Sequence, residues 1–550
     1  KKLLEKIKSE NFESIGIGFL HSYANSENEN ILKEFIFNNL PGVEVSISSE
    51  VCPEIREYER FTTTVINAYI KPLMSNYLKK LEYELIEKGF NCPLLLMTSG
   101  GTLTNIPSAC NNPVRLVESG PAGGAILATS IARDLGLNKV ISFDMGGTTA
   151  KITVIENKKA IKAREFEVDR KARFKKGSGF PLRIPVIEMV EIGAGGGSIA
   201  RVNKLEQIIT GPDSAGSLPG PACYCNGGTL PTITDADLII GKINPENFAG
   251  GKIKLSKDLA ADAITKNISQ IVNLDMDTAA LAISEIVDET MSNAARVHTV
   301  EQGHETSSRT LIAFGGAAPL HVARVAEKLK VSSIIIPTNA SVGSAVGFLK
   351  APVGYEVVKS LRTLLKAFPV KKVNDLLKIM REEAEKVIEN KSEKNTFLEE
   401  RFAYMRYAGQ GHEIKVPIEN NLLSIRHVDS IKSSFEQKYE KLYSRILPNA
   451  DIEILTWSLS LSIQSENENE YKELNSYTNR EESTLIDLID YHSEKKIKVP
   501  YFERNDLNPG DLIMGQCIIS EDQTTIIVSK NFNTKVLGNN FLKMEYNKNE

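Results

Sequence analysis

The chain has 550 residues, 41% of them hydrophobic and 25% charged, the balance of a soluble globular protein long enough for several domains. Its 66 basic and 70 acidic residues leave a formal charge of −4, which lacks the basic surplus that nucleic-acid binding demands. No apolar run approaches the roughly 18 residues of a membrane span, and the six cysteines are too scattered for a disulfide framework, so a cytoplasmic protein with neither membrane nor nucleic acid as partner is expected.

The opening KKLLEKIKSE is no signal peptide; it reads like the middle of an amphipathic helix and carries no initiator Met, so a fragment of a longer chain is expected. A helix over Lys1–Asn11 is followed by a buried strand, Ser14–Leu20. Asn28–Asn39 predicts a helix, Val43–Ser48 a strand, Thr63–Lys88 a long helical region and Leu94–Met97 another strand. Strands at Val140–Phe143 and Lys151–Ile155 flank a glycine turn, with ENKK closing the hairpin. A helix over Asp277–Gln302 precedes a βαβ-like unit: the strand Leu311–Phe314, a glycine turn with its helix, and the strand Ser332–Pro337. Lys359–Ser392, dense in Lys and Glu, reads as a helical connector broken at Pro369. The remainder carries strand-like runs around one helix near Ser430–Ile446. The expected division is 1–130, 131–355, a connector over 356–392, and a β-rich domain over 393–550.

The sharpest chemical signal is Asp144-Met-Gly-Gly-Thr-Thr at the end of an apolar strand. Gly146 and Gly147 let backbone N–H groups approach phosphate oxygens, and Thr148 and Thr149 add hydroxyl donors. Asp144 can hold Mg²⁺ or orient an attacking group, unless it merely caps a tight turn. The strand–turn–strand continuation separates this segment from Walker A and dinucleotide-binding loops. Phe314-Gly-Gly-Ala-Ala-Pro-Leu-His321 sets small residues, Gly315 and Gly316 first, between a strand and a helix start, where a nucleobase or phosphate tail can approach. His321 stands open between packing, ligand contact and proton transfer.

Glu118–Gly124 leads into a small-residue helix that invites close contact, and Glu191–Ser198 holds three consecutive glycines. Such a run is costly in backbone entropy, so a ligand-facing loop including Gly195 and Gly196 is the expected reading. Asp235 either caps a helix beginning ADLII or binds a metal or substrate. The run Arg56–Arg60 predicts a solvated salt-bridge cluster, with a substrate-cleft or domain-interface role as the alternative, and Cys223-x-Cys225 reads as two loop cysteines.

Several stretches together resemble the A-type subunits of the ATP-dependent hydantoinase/5-oxoprolinase family, which is related to the smaller subunits of acetone and acetophenone carboxylases. They include SSEVCPEIREYERFTTTVINAY (Ser48–Tyr69), SGPAGGAILA (Ser119–Ala128), SFDMGGTTAKITVIE, VEIGAGGGSIARV, GPDSAGSLPGPACY, LIAFGGAAPLHVA, NASVGSAVGFLKAP and PGDLIMGQCIISEDQTTIIV (Pro509–Val528). The resemblance implies an α/β actin/sugar-kinase/Hsp70-like nucleotide-binding fold with two lobes, followed by a β-rich C-terminal domain. It implies ATP and Mg²⁺ as cofactors, Asp144 and Thr148 as catalytic residues with Asp144 on the metal, and nucleotide contacts from Gly146, Gly147, Thr148, Thr149, Gly195, Gly196, Gly315, Gly316 and His321. Ser119–Gly124 and Val342–Gly347 match the family's two hinge segments.

The implied reaction is ATP-dependent hydrolysis of a cyclic amide of hydantoin or 5-oxoproline type, within an oligomer that includes a B-type subunit. A ketone carboxylase subunit and a non-catalytic nucleotide switch are the competing readings. The family opens with an earlier acidic Gly-Gly-Thr loop, which has no counterpart before His21, so an ATP site only partly supplied by these residues is expected.

Overall fold

The computed structural model describes residues 2–171, 177–388, 396–463, 473–482 and 484–547. The chain divides into two compact units, each assembled from three stretches. Lys1–Ala122, Lys162–Val186 and Ala351–Glu466 form the first; Gly123–Ile161, Ile187–Lys350 and Asn467–Glu550 form the second.

In the first unit the expected alternation is present: helix Lys2–Glu10, strand Ser14–Ile17, helix Glu27–Asn39 and strand Glu44–Ile47, with the two strands paired in parallel. The long helix runs Glu57–Glu87 and so takes in most of the charged run. Arg60 departs from the solvated cluster expected there, being fully buried. Its guanidinium donates to the carbonyls of Glu54 and Phe19, each at 2.9 Å, and to Ser48 Oγ at 3.2 Å. Those oxygens would otherwise be stranded away from water, which is why the charge is drawn inward.

The expected helical connector begins instead as a strand, Gly354–Leu364, and its helix, Val370–Ile388, starts only after Pro369. The strand lies at the edge of a four-stranded antiparallel sheet with Ile452–Ile463, Phe397–Tyr407 and Ile414–Ile418. Edge strands carry outward lysines and arginines that discourage further pairing, so Lys359 and Arg362 suit this place as well as they suit a helix surface. Trp457, Tyr407 and Phe435 are buried in the core beneath it.

The second unit is built on a ten-stranded mixed sheet among the described residues. Its centre is the predicted hairpin, β1 (Lys139–Met145) and β2 (Ala150–Glu156), followed in parallel by β3 (Thr310–Phe314) and β4 (Ser333–Ile336). Val140, Ile141, Phe143, Ile312 and Phe314 are at most 1% exposed, as continuous apolar runs in a doubly covered sheet require. The β-rich C-terminal part extends this sheet: Leu542–Tyr546 pairs antiparallel with β4, and Phe532–Val536 lies beyond it.

Four helices of this unit matter below: α1 (Ile233–Ile240), α2 (Met276–Glu301), α3 (Ala318–Leu329) and α4 (Gly343–Lys350). α1 is fixed by a capping box in which Thr232 is the N-cap and Asp235 the reciprocating third residue. Asp235 therefore caps from inside the helix, and its carboxylate also accepts from the N–H groups of Ala222 at 3.2 Å and Cys223 at 2.8 Å. The expected close helix contact is there too: the Gly347 Cα faces the Gly123 backbone with no room for a Cβ.

Candidate functional site

β1 ends at Met145, and the chain turns through Gly146–Thr149 before returning as β2. Gly147 and Thr148 are exposed, and a Cβ built on Gly146 or Gly147 would meet nothing within 4 Å. These glycines are therefore not demanded by neighbouring protein atoms. Their bareness leaves open the approach to the loop backbone, which is what an anionic ligand taking N–H donors needs.

Asp144 stands at the root of this loop. Ser344 Oγ, at the start of α4, donates to Asp144 Oδ2 at 3.0 Å. Burial raises the Asp144 pKa above the ordinary carboxylate value, against the opposing Ser344 hydrogen bond and the charge of Lys151. A partly buried carboxylate with so little compensation is suited to a cation. No group of three or more His, Cys, Asp or Glu residues among the described residues is arranged to hold a metal. Mg²⁺ needs no such cage, since it commonly binds through one or two carboxylates with phosphate oxygens and waters completing its shell. An open glycine loop with a single carboxylate at its root is a donor set of the kind that fits a Mg²⁺–nucleotide.

The second glycine run lies beneath the first. Gly196 and Gly197 donate their N–H groups to the carbonyls of Gly146 at 3.0 Å and Gly147 at 2.6 Å. A Cβ on Gly195 would come within 2.5 Å of the Thr148 nitrogen. Gly195 and Gly196 are buried, so the run expected to face a ligand instead buttresses the loop that is open to one. α1 then supports the buttress, because Thr234 donates from both N–H and Oγ1 to the Gly196 carbonyl at 2.8 and 2.9 Å.

The Gly315–Ala317 turn adjoins the same loop. Gly315 has φ +94°, and a Cβ there would strike the Met145 carbonyl and approach Asp144 Oδ1 to 2.6 Å, so only glycine fits. Ala317 N–H donates to the Met145 carbonyl at 2.9 Å, while Gly316 is exposed. The structure thus brings Asp144, Gly146–Thr149, Gly315 and Gly316 together at adjacent strand ends, with Gly195 and Gly196 behind them.

His321, in the first turn of α3, is fully buried and not open to a ligand. Its Nδ1 lies 2.8 Å from Asp288 Oδ1 on α2. Its Nε2 lies 3.0 Å from Asp237 Oδ2 on α1, close enough for an ion pair but off the hydrogen-bond line. Asp237 also meets Lys242 Nζ at 2.9 Å, and Lys242 reaches Ser284 Oγ at 2.9 Å and sits 5.0 Å from the centre of the Tyr491 ring. Burial opposes the charge on His321, but Asp237 outweighs it and the imidazole pKa is raised; Asp237 is held down at about 2, against burial, by His321 and Lys242. Sequence reasoning found the histidine and missed its partners. The signal was the Asp237-x₄-Lys242 pair, one charge inside α1 and the other just past its Gly241 cap.

Cys223 is buried and Cys225 exposed, both as free thiols, in keeping with two loop cysteines. No helix among the described residues is long and apolar enough to cross a membrane.

The profile of the Hydantoinase/oxoprolinase family matches residues 60–357, and that of the Hydantoinase/oxoprolinase C-terminal domain matches residues 369–547. An uncharacterized protein of Methanocaldococcus jannaschii is 36% identical over 97% of this chain and 77% of its own length. The caprolactamase subunit alpha of Pseudomonas jessenii is 29% identical, covering 96% of this chain and 75% of that protein. The crystal structure of the ATP-dependent caprolactamase from Pseudomonas jessenii superposes with a TM-score of 0.84 at 27% identity, over 99% of this chain and 78% of that one. A nucleotide-free structure of acetone carboxylase gives 0.78 at 23% identity over 99% of this chain and 78% of that one, a likeness of fold.

Proposed function

The chain belongs to the hydantoinase/oxoprolinase family, and from that premise we propose that it is the nucleotide-binding subunit of an ATP-dependent enzyme that opens a cyclic amide of the hydantoin, 5-oxoproline or lactam type. The observation that carries the reading is the pairing of an open glycine loop, Gly146–Thr149, with the half-buried Asp144 carboxylate at its root. An unstrained amide is a poor electrophile. Bound ATP with Mg²⁺ would supply a phosphoryl group to the ring carbonyl oxygen, making the ring carbon electrophilic enough for water to add and for the C–N bond to break with the ring nitrogen leaving as the amine.

The chain's own contribution is positional and electrostatic. The N–H group of Gly147 and the hydroxyls of Thr148 and Thr149 supply donors to the phosphate chain, while the Gly146 N–H closes the turn on the Thr149 carbonyl at 3.1 Å; donors already in place act most strongly where charge develops. Asp144, steadied by Ser344, places the metal or the attacking group on the same side. Gly316, exposed beside the loop, leaves space for the adenosine end, and Gly315 lets the turn that carries it close on Met145. Holding phosphate and substrate together removes much of the encounter cost of a bimolecular step. The reading includes a B-type partner subunit that completes the hydrolysis within a hetero-oligomer.

The test is ATP turnover by the protein, alone and with its partner subunit, in the presence of hydantoin, 5-oxoproline or caprolactam. Turnover that rises only with a cyclic amide and yields the ring-opened acid supports the proposal. Turnover stimulated by a ketone and bicarbonate would move the assignment to carboxylation. Hydrolysis indifferent to every substrate would favour a nucleotide switch.

A further inference from the structure

The ionic set around His321 is a poor device for stability alone. Taking an imidazolium, an ammonium and two carboxylates out of water gains little over apolar packing of the same volume, whereas charges drawn together from separate helices fix one arrangement of those helices. Here the elements are α1, α2 and α3, and two of them lead to the two loops of the nucleotide site.

On the phosphate side, the first turn of α1 carries Thr234, which is bonded to Gly196; Gly196 in turn is bonded to Gly146. Asp237 sits one turn further along α1. On the adenosine side, α3 begins just after Gly315–Gly316, and its first turn sends His321 inward to Asp237 at 3.0 Å and Asp288 at 2.8 Å. The strand ends are also joined directly by the Ala317–Met145 hydrogen bond. That bond holds the roots of the loops, while the ionic set holds the helices behind them.

We propose that His321 is a positioning residue: by bridging Asp237 and Asp288 it fixes the Gly315–Ala317 turn relative to the Gly146–Thr149 loop, so that a single nucleotide meets both at once. The inference rests on the nucleotide reading above and adds a residue that touches no ligand. Its signature is a chelate effect. A ligand that meets one loop is indifferent to their spacing, whereas a ligand that spans both loses affinity when the spacing relaxes.

The test is the double variant His321→Gln with Asp288→Asn. It removes one positive and one negative charge together and leaves the Lys242–Asp237 pair intact, so no lone charge is buried. Calorimetry with Mg²⁺ measures three probes: a non-hydrolysable ATP analogue, adenosine alone and tripolyphosphate alone. The expected result is a fall of about tenfold in affinity for the ATP analogue, with each fragment changing by less than about twofold. Equal losses on all three probes would mean general loosening and would overturn the proposal, as would no loss on any.

If the double variant does not fold, Asp288→Asn alone keeps an acceptor for the Nδ1 proton and is expected to show the same pattern at smaller amplitude. Unchanged affinity for the ATP analogue in that folded variant also overturns the proposal. Should the unaltered protein bind none of the three probes, the nucleotide reading fails first and this inference with it.

Discussion

Asp237→Asn keeps the shape of the side chain and removes the charge on which two buried cations depend. Lys242 Nζ lies 2.9 Å from Oδ1 and His321 Nε2 3.0 Å from Oδ2, and both cationic side chains are 0% exposed. An asparagine offers one acceptor oxygen and one N–H₂ group, so one cation must face a donor whichever way the amide turns. Lys242 keeps Ser284 Oγ at 2.9 Å and the Tyr491 ring, and therefore claims the oxygen. His321 gives up its Nε2 proton and stays on Asp288 through Nδ1.

Deleting one partner of a buried pair costs about 3–5 kcal/mol, and an imidazole that can neutralise itself brings the cost to the lower end, about 3 kcal/mol. For a unit of this size that lowers the melting midpoint by roughly 5–10 °C. The pH dependence is a second handle. In the unaltered protein the folded His321 pKa is raised above the unfolded value of about 6.5, so its contribution is complete below that pH and is lost as pH rises through the folded pKa. Asp237, at about 2 when folded against an ordinary 3.8, contributes above 3.8 and loses its contribution as pH falls through 2. Scanning calorimetry between pH 5 and 9 should show the variant destabilised most at low pH and the alkaline loss of the unaltered protein abolished. A shift at pH 7 worth less than about 1 kcal/mol, or an unchanged pH slope, would refute the reasoning.

Asp144→Asn is expected to abolish ATP turnover without lowering the melting midpoint, because burial already disfavours the charged carboxylate there; normal turnover would remove Asp144 from the site. Gly147→Ala and Gly195→Ala should separate function from fold. The first has nothing within 4 Å of its new Cβ and should weaken nucleotide binding in a stable protein, while the second drives a methyl to 2.5 Å from the Thr148 nitrogen and should destabilise by about 2 kcal/mol or more, read by denaturant midpoint. Asp235→Ala removes the acceptor for the N–H groups of Thr232, Ala222 and Cys223 and should cost about 2 kcal/mol in the same measurement.

By itself the sequence determined the local features. The hairpin around Asp144 was legible because strand alternation and the glycine pair act within a few residues, and the helix expected at Asp277–Gln302 lies at Met276–Glu301 for the same reason. The tertiary structure decided what those features face. Three glycines at 195–197 show only that a Cβ is unwelcome. Whether a ligand or the backbone of another loop takes the space depends on a partner far away in the chain, here Gly146–Thr148.

Lys359 and Arg362 carry the same charge on a helix or an edge strand, and pairing with Ile454–Trp457 settled the matter. Arg60 looked solvated until the carbonyls of Phe19 and Glu54 gave it a buried place. His321 stood alone in sequence because its partners, Asp237 and Asp288, come from other helices. An ionic set is a relation between elements, and only packing brings those elements within 3 Å of one another.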